Sequence, residues 1–185
     1  IESTPADMTP EMASMLGAHG LDRITLGIQA LDERLLASVN RPQSMDQVAG
    51  AVDALRDSGV KWINFDLVAG LPGDTVESFR AGFAALLELQ PDMVHTYPYT
   101  ERPGHTPNAD KQAIVDTARS MMTEAGMRSL PHDGWGRDLE ARNIQVVDKI
   151  VRAGSCMGLG IRARSHVFGR LAYSSQSTAD WQSRL

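Results

Sequence analysis

The sequence holds a single cysteine, Cys156, in 185 residues. That excludes a disulfide framework and any metal cluster held by several thiolates of this chain. No apolar run approaches the length needed to cross a bilayer, and the first residues lack the charged-then-apolar form of a signal peptide. Positive charge is scarce. The 18 Lys and Arg against 23 Asp and Glu leave a net charge of −5, from which no general nucleic-acid-binding face is built. None of His19, His95, His105, His132 and His166 stands in HxxxH spacing with another, which disfavours zinc hydrolase chemistry. Ser155 and Ser165 lack the surroundings of a nucleophile elbow, so triad catalysis has no foothold. Gly70-Leu71-Pro72-Gly73 lacks the lysine and the glycine spacing of a phosphate-binding P-loop. Hydrophobic residues at 42% and charged residues at 22% are ordinary for a globular protein with one core, and a cytoplasmic location is the default expectation.

What is present alternates strand and helix, which predicts an α/β fold with parallel strands. Thr9-Pro10-Glu11 reads as a helix start, with Met12, Met15 and Leu16 as its apolar stripe and Gly20 as its stop. Ile24–Ile28 reads as a short strand and Asp32–Val39 as a brief helix. Ser44 caps another helix, with Val48, Val52 and Leu55 in its stripe. Trp62–Val68 is the next strand. A helix from Thr75 to about Leu89 turns Phe79, Phe83, Leu86 and Leu87 inward. Met93–Tyr99 is strand-like, Arg102 to Pro107 is loop by its proline and glycine, and Asn108–Ala125 is helical. From Ser129 the periodicity weakens. Pro131 to Gly136 reads as loop, Cys156 to Gly160 as a glycine-broken strand or turn, and Ser174–Thr178 as a polar stretch before a final short helix. Residues 1–126 and 127–185 are the expected domains.

Several strand ends carry polar residues, the place where a βα barrel puts its chemistry. Glu2 closes what reads as the tail of a strand; an exposed carboxylate there is either solvated or an acceptor for hydroxyl and amino groups. Gln29 ends a strand whose other face carries Ile24, Leu26 and Ile28. It belongs either to a wet face or to the mouth of a barrel, where Gly27 leaves room for something large. Arg41 follows a short helix, a commonplace position from which a surface arginine counters the helix dipole. Asp66 lies in Trp62-Ile63-Asn64-Phe65-Asp66-Leu67-Val68, a run that belongs in a buried strand, so a partner is required. Arg23 and a neighbouring helix end are the structural choices. Cys156, in an apolar glycine-rich run, reads as packed rather than reactive.

Taken in order, Glu2-Ser3-Thr4-Pro5, Arg23-Ile24-Thr25-Leu26-Gly27-Ile28-Gln29, Asn40-Arg41, Asn64-Phe65-Asp66-Leu67-Val68-Ala69-Gly70-Leu71-Pro72-Gly73 and Tyr97-Pro98-Tyr99-Thr100 resemble the radical S-adenosylmethionine (SAM) enzymes of the oxygen-independent coproporphyrinogen III oxidase-like family. The resemblance is strong from Glu2 to Thr100 and loose beyond. There Arg102-Pro103-Gly104, His132-Asp133-Gly134-Trp135, Arg142-Asn143-Ile144-Gln145 and Gly158-Leu159-Gly160-Ile161-Arg162-Ala163-Arg164-Ser165 echo family segments. Arg164 departs from the small, apolar or histidine residue usual at its position; with Arg162 it reads equally as an exposed basic turn or as a pair suited to a carboxylated substrate.

The resemblance implies a partial (β/α) barrel, the later half of a radical SAM barrel, with a smaller C-terminal α+β extension. It implies SAM, one molecule or two, at Glu2, Gln29, Arg41, Asp66 and Thr100, the last through its backbone. In the complete enzyme a [4Fe–4S] cluster held by a CxxxCxxC motif reduces SAM to give a 5′-deoxyadenosyl radical. That motif is missing here, which points to part of a longer enzyme cut just upstream of Ile1, with no metal ligands of its own. The implied activities are oxidative decarboxylation of a porphyrinogen-type substrate, C-methylation with two SAM molecules, or heme chaperoning without turnover. An electron donor such as flavodoxin or ferredoxin would serve the whole protein, and the catalytic acid is not identified. The chain alone is expected to lack redox activity and to associate through an unpaired Ile24–Ile28 edge.

Overall fold

Alternation of apolar and polar residues in Arg23–Gln29 makes strand β2, with Ile24, Leu26 and Ile28 buried at 1% exposure or less. It is flanked by β1 (Glu2–Ser3) and β3 (Trp62–Ala69), and β3 is followed in the sheet by β4 (Met93–Pro98). These strands run parallel, and the sheet continues through two short antiparallel strands, β6 (Trp135–Gly136) on β4 and β5 (Arg128–Ser129) on β6. The order is β1-β2-β3-β4-β6-β5. This computed structural model describes residues 1–30, 32–38, 43–101, 107–130, 134–141, 152 and 154–183. Two compact units result, Ile1–Ala141 and Arg142–Leu185.

Helices α1 (Pro10–Ala18), α3 (Met45–Asp57), α4 (Val76–Glu88) and α5 (Lys111–Glu124) belong to the first unit, with the short α2 (Glu33–Ser38) after β2. Thr9, Ser44 and Thr75 cap α1, α3 and α4 with their hydroxyl oxygens, Ser44 and Thr75 in reciprocal capping boxes. One core joins Ile24, Leu26, Ile63, Phe65, Leu67 and Val94 to Val48, Leu55, Phe79, Phe83, Leu86 and Ile114 of the helices. Helices α1, α3, α4 and α5 therefore pack on one face of the sheet, while the other carries Thr25, Asn64, Asp66 and His95 beside a small apolar cluster of Trp62, Met93, Leu130 and Ala141. The α/β fold with parallel strands is as the sequence indicated.

Four local expectations are corrected. Met12 and Met15 are 40% and 44% exposed, and Ala13 is the buried residue of α1. Gly17 sets that orientation, since a Cβ there would stand 2.2 Å from the Ser58 carbonyl oxygen. Helix α5 begins at Lys111 instead of Asn108, because the Asn108 amide is engaged across the loop by the Leu71 and Asp74 carbonyls at 2.6 and 2.8 Å. The segment read as loop before Gly136 contains β6, too short to show any periodicity. The Ile24–Ile28 edge is paired where β1 meets Thr25 and Leu26.

In the second unit, β7 (Arg164–Val167) and β8 (Arg170–Tyr173) form an antiparallel hairpin. Its turn, Phe168-Gly169, takes positive φ at both positions (49° and 74°), the geometry a two-residue hairpin turn requires. Helix α6 (Thr178–Gln182) follows, capped by Ser177, and Cys156 is half-buried and bridges to His166. Among the described residues no helix is long and apolar enough to cross a membrane.

Candidate functional site

The polar face of the sheet is ordered by strand register. In a parallel sheet, partners in register point the same way, so Glu2, Thr25, Asn64 and Met93 form one row across β1 to β4. The next row towards the carboxyl ends is Gly27, Asp66 and His95. Val68 and Tyr97 pair in the row beyond.

Asn64 joins the two lower rows. Its amide is 1% exposed and donates to Thr25 Oγ1 at 3.2 Å and to Asp66 Oδ1 at 2.7 Å, while its oxygen lies 2.8 Å from His95 Nδ1. His95 Nδ1 is 3.5 Å from Asp66 Oδ1. Burial pushes the Asp66 carboxyl above the usual carboxylate range. The Asn64 donation and the His95 charge oppose that push, Glu2 adds to it, and Arg23 lowers it. The partners required for Asp66 are thus Asn64 and His95, not a helix end. Arg23 contributes charge while its guanidinium donates to the Ala141 carbonyl at 3.0 Å and reaches Met93 Sδ at 3.4 Å.

Gln29 sits where the β2–β3 register shifts, in the left-handed region at φ 68°. Its amide folds back over Gly27, in register with Asp66; a Cβ on Gly27 would stand 2.8 Å from Gln29 Nε2. The space at Gly27, expected for something large, is taken by the glutamine itself. Glu2 shares this face through its pairing with Thr25. Thr100 is exposed just past β4, beside Tyr99, whose N–H donates to the Ala69 carbonyl at 2.9 Å. Arg41 lies outside the described residues, as do Arg102 to Thr106, His132, Asp133 and Arg142 to Gln145. Glu2, Gln29 and Asp66 are therefore brought to one face, and Thr100 to its carboxyl-end rim.

The Gly70-Leu71-Pro72-Gly73 turn is structural. Gly70 has φ 81°, and a Cβ there would lie 2.9 Å from Lys111 Cα. The buried Asp74 closes the turn by accepting from Ser78 Oγ at 2.9 Å. Burial, the largest effect, raises its carboxyl above the ordinary range.

Asn64 and His95 are functional candidates that sequence reading passed over. Asn64 was legible only as part of a strand and of the family segment around Asp66, with no role of its own, and His95 only as one of several scattered histidines. Aligning the two strands by their shared inward period is the signal that finds the pair.

The polar face fits a small cationic nucleoside: a half-buried carboxylate, a second carboxylate beside it and a carboxamide offer acceptors for sulfonium, ammonium and hydroxyl groups. A cluster held by three thiolates does not fit this chain, and no group of three His, Cys, Asp or Glu among the described residues is placed to hold a metal.

Residues 1–83 match the Radical SAM superfamily. An oxygen-independent coproporphyrinogen III oxidase of Bradyrhizobium diazoefficiens is 37% identical over 103 residues, which cover 56% of this chain and 23% of that protein. The heme chaperone HemW of Lactococcus lactis is 32% identical over 97 residues, covering 52% of this chain and 26% of that one. The solved coproporphyrinogen III oxidase (HemN) of Escherichia coli superposes with a TM-score of 0.84 at 22% identity, over 98% of this chain and 47% of that structure, and so shares its fold. The chain spans less than half the length of these relatives.

Proposed function

We propose that this chain, a radical SAM relative of the oxygen-independent coproporphyrinogen III oxidases, forms the SAM-facing wall of an enzyme acting on a porphyrinogen-type substrate. The observation that carries the reading is the convergence of Glu2, Gln29 and Asp66 on the face of a parallel sheet opposite the one that packs against α1, α3, α4 and α5. Asp66 and Glu2 supply negative charge to a cationic ligand in a half-buried setting, where attraction is less screened than in bulk water. Gln29 offers an oriented amide, with Arg41 assigned to the ligand carboxylate and Thr100 to a backbone contact at the rim. When bound and reductively cleaved, SAM supplies a radical that removes a hydrogen atom from the substrate. The residues of this chain would orient the nucleoside and exclude water around it. In the whole protein the reaction would be oxidative decarboxylation: a flavodoxin- or ferredoxin-type donor would supply the electron for SAM cleavage, and the substrate, on losing a hydrogen atom and carbon dioxide, would pass one electron to a separate acceptor.

The test is SAM binding and cleavage by the complete gene product with its iron–sulfur cluster reconstituted. SAM binding, weakened about tenfold or more by Asp66→Asn, with formation of 5′-deoxyadenosine and a vinyl-bearing product from coproporphyrinogen, is the expected outcome. Failure to bind SAM overturns the reading. Tight heme binding without SAM cleavage replaces the oxidase with a heme chaperone.

A further inference from the structure

We propose that His95 is a positioning residue for the Asp66 carboxylate, acting through the side-chain amide of Asn64. The proposal rests on the reading of Asp66 as SAM-facing.

Asn64 has two amide hydrogens and one carbonyl oxygen, and all are used. The hydrogens go to Thr25 Oγ1 and Asp66 Oδ1, and the oxygen faces His95 Nδ1 at 2.8 Å. A carboxylate only accepts, so the amide nitrogen must face Asp66. The oxygen then faces the imidazole, which satisfies it by donating Nδ1–H. His95 therefore opposes rotation of the Asn64 amide. Without a donor on β4, a rotated amide would set its oxygen against Asp66 Oδ1, and the carboxylate would lose both its 2.7 Å donor and its aim. Asn64 is buried, so water is a poor substitute for the lost donor.

The imidazole is itself held in place. The Tyr97 ring stacks on it with centroids 6.0 Å apart and planes 8° from parallel. On its edge, Gly134 approaches so closely that a Cβ there would lie 2.6 Å from His95 Cδ2 and 2.8 Å from the Val94 carbonyl. Glycine at φ 72° permits that approach. A side chain wedged on two sides, with its nitrogen on the hub of the polar face, is placed to orient rather than to diffuse.

The experiment measures SAM affinity of the complete gene product by titration calorimetry. The variants are His95→Phe, His95→Asn, Asp66→Asn and the His95→Phe/Asp66→Asn double, with melting midpoints recorded for each. Phenylalanine keeps the ring and its stacking but has no N–H, while asparagine returns an N–H near the position of Nδ1. His95→Phe should weaken SAM binding about fivefold to tenfold, the scale of one hydrogen bond to a charged group's partner. His95→Asn should recover most of it. The double variant should bind no more weakly than Asp66→Asn alone, because the charge whose aim His95 sets is already absent. Wild-type affinity in His95→Phe, or losses that multiply in the double variant, overturns the proposal alone. Wild-type affinity in Asp66→Asn overturns the SAM-facing reading and this proposal with it. If His95→Phe does not fold, His95→Leu enters the same cycle with the same expectations.

Discussion

Gly27 and the Gln29 side chain occupy one space: a methyl group on Gly27 would stand 2.8 Å from Gln29 Nε2. Gly27→Ala tests what that overlap does. The obstructed atom ends a flexible side chain, so the fold should change by less than about 1 kcal/mol. Gln29 should be displaced from the position beside Asp66, and SAM affinity should fall about tenfold, the scale of a lost ligand hydrogen bond with some misplacement. Unchanged affinity with a shifted Gln29, seen by crystallography of the variant, would remove Gln29 from the site.

Asp66 should trade stability for function. Burial raises its carboxyl in the folded state, so the stability tied to its protonated form is fully present below the unfolded carboxyl value, near 3.9, and is lost as pH rises through the raised folded value. At neutral pH the ionised side chain therefore weakens the fold. Asp66→Asn keeps an oxygen for the Asn64 donor and removes the charge. It should be more stable than wild type at pH 7 by on the order of 1 kcal/mol, as is common when a functional charge is removed. The gap should narrow towards pH 4. Urea titrations of both proteins across that range check the sign; a gap that stays constant, or a less stable variant, contradicts the assignment.

Gly70→Ala should damage the fold itself. The position has φ 81°, and a Cβ would press within 2.6 to 2.9 Å of Lys111 Cγ, Cβ and Cα. The backbone atom cannot swing aside as the Lys111 side chain can. Strain and overpacking together should cost about 2–4 kcal/mol, read as a lower urea midpoint. An unaltered midpoint would mean that the turn and the start of α5 move apart without loss.

Local signals carried most of the fold. Thr9, Ser44 and Thr75 announced their helices because capping is settled within four residues, and the β2 and β3 alternation announced which side is buried. What escaped is set by distant pairing. Asn64 and His95 are 31 residues apart and meet only through the register of β3 on β4. The bulge that folds Gln29 over Gly27 leaves no trace in a period-two pattern. Gly17, Gly70 and Gly134 look alike as letters, yet each is fixed by a different neighbour: Ser58, Lys111 and His95. The family motifs located Glu2, Gln29 and Asp66 but say nothing of the hydrogen-bonded hub between the strands.

Asp92 provides the contrast to the site, because it works at the amino ends of the strands. Its Oδ2 accepts from the Ile63 amide at 2.8 Å and from Arg56 Nη2 at 2.7 Å, so it ties the start of β3 to the end of α3. Arg56 also donates to the Lys61 and Gln90 carbonyls at 3.0 and 3.3 Å, which makes the contact a clip rather than an isolated surface pair. With its side chain 20% exposed, Asp92 is shielded enough for the loss to register. Asp92→Ala strands the Ile63 amide and one Arg56 donor, and should lower stability by about 1–3 kcal/mol with the urea slope unchanged. In the barrel-type arrangement, that end of the sheet serves stability and the carboxyl end serves chemistry. SAM affinity measured well below the variant's melting midpoint should therefore equal that of wild type. A variant that folds fully yet binds SAM several-fold more weakly would place part of the ligand's support at the amino end and break the division between the two ends.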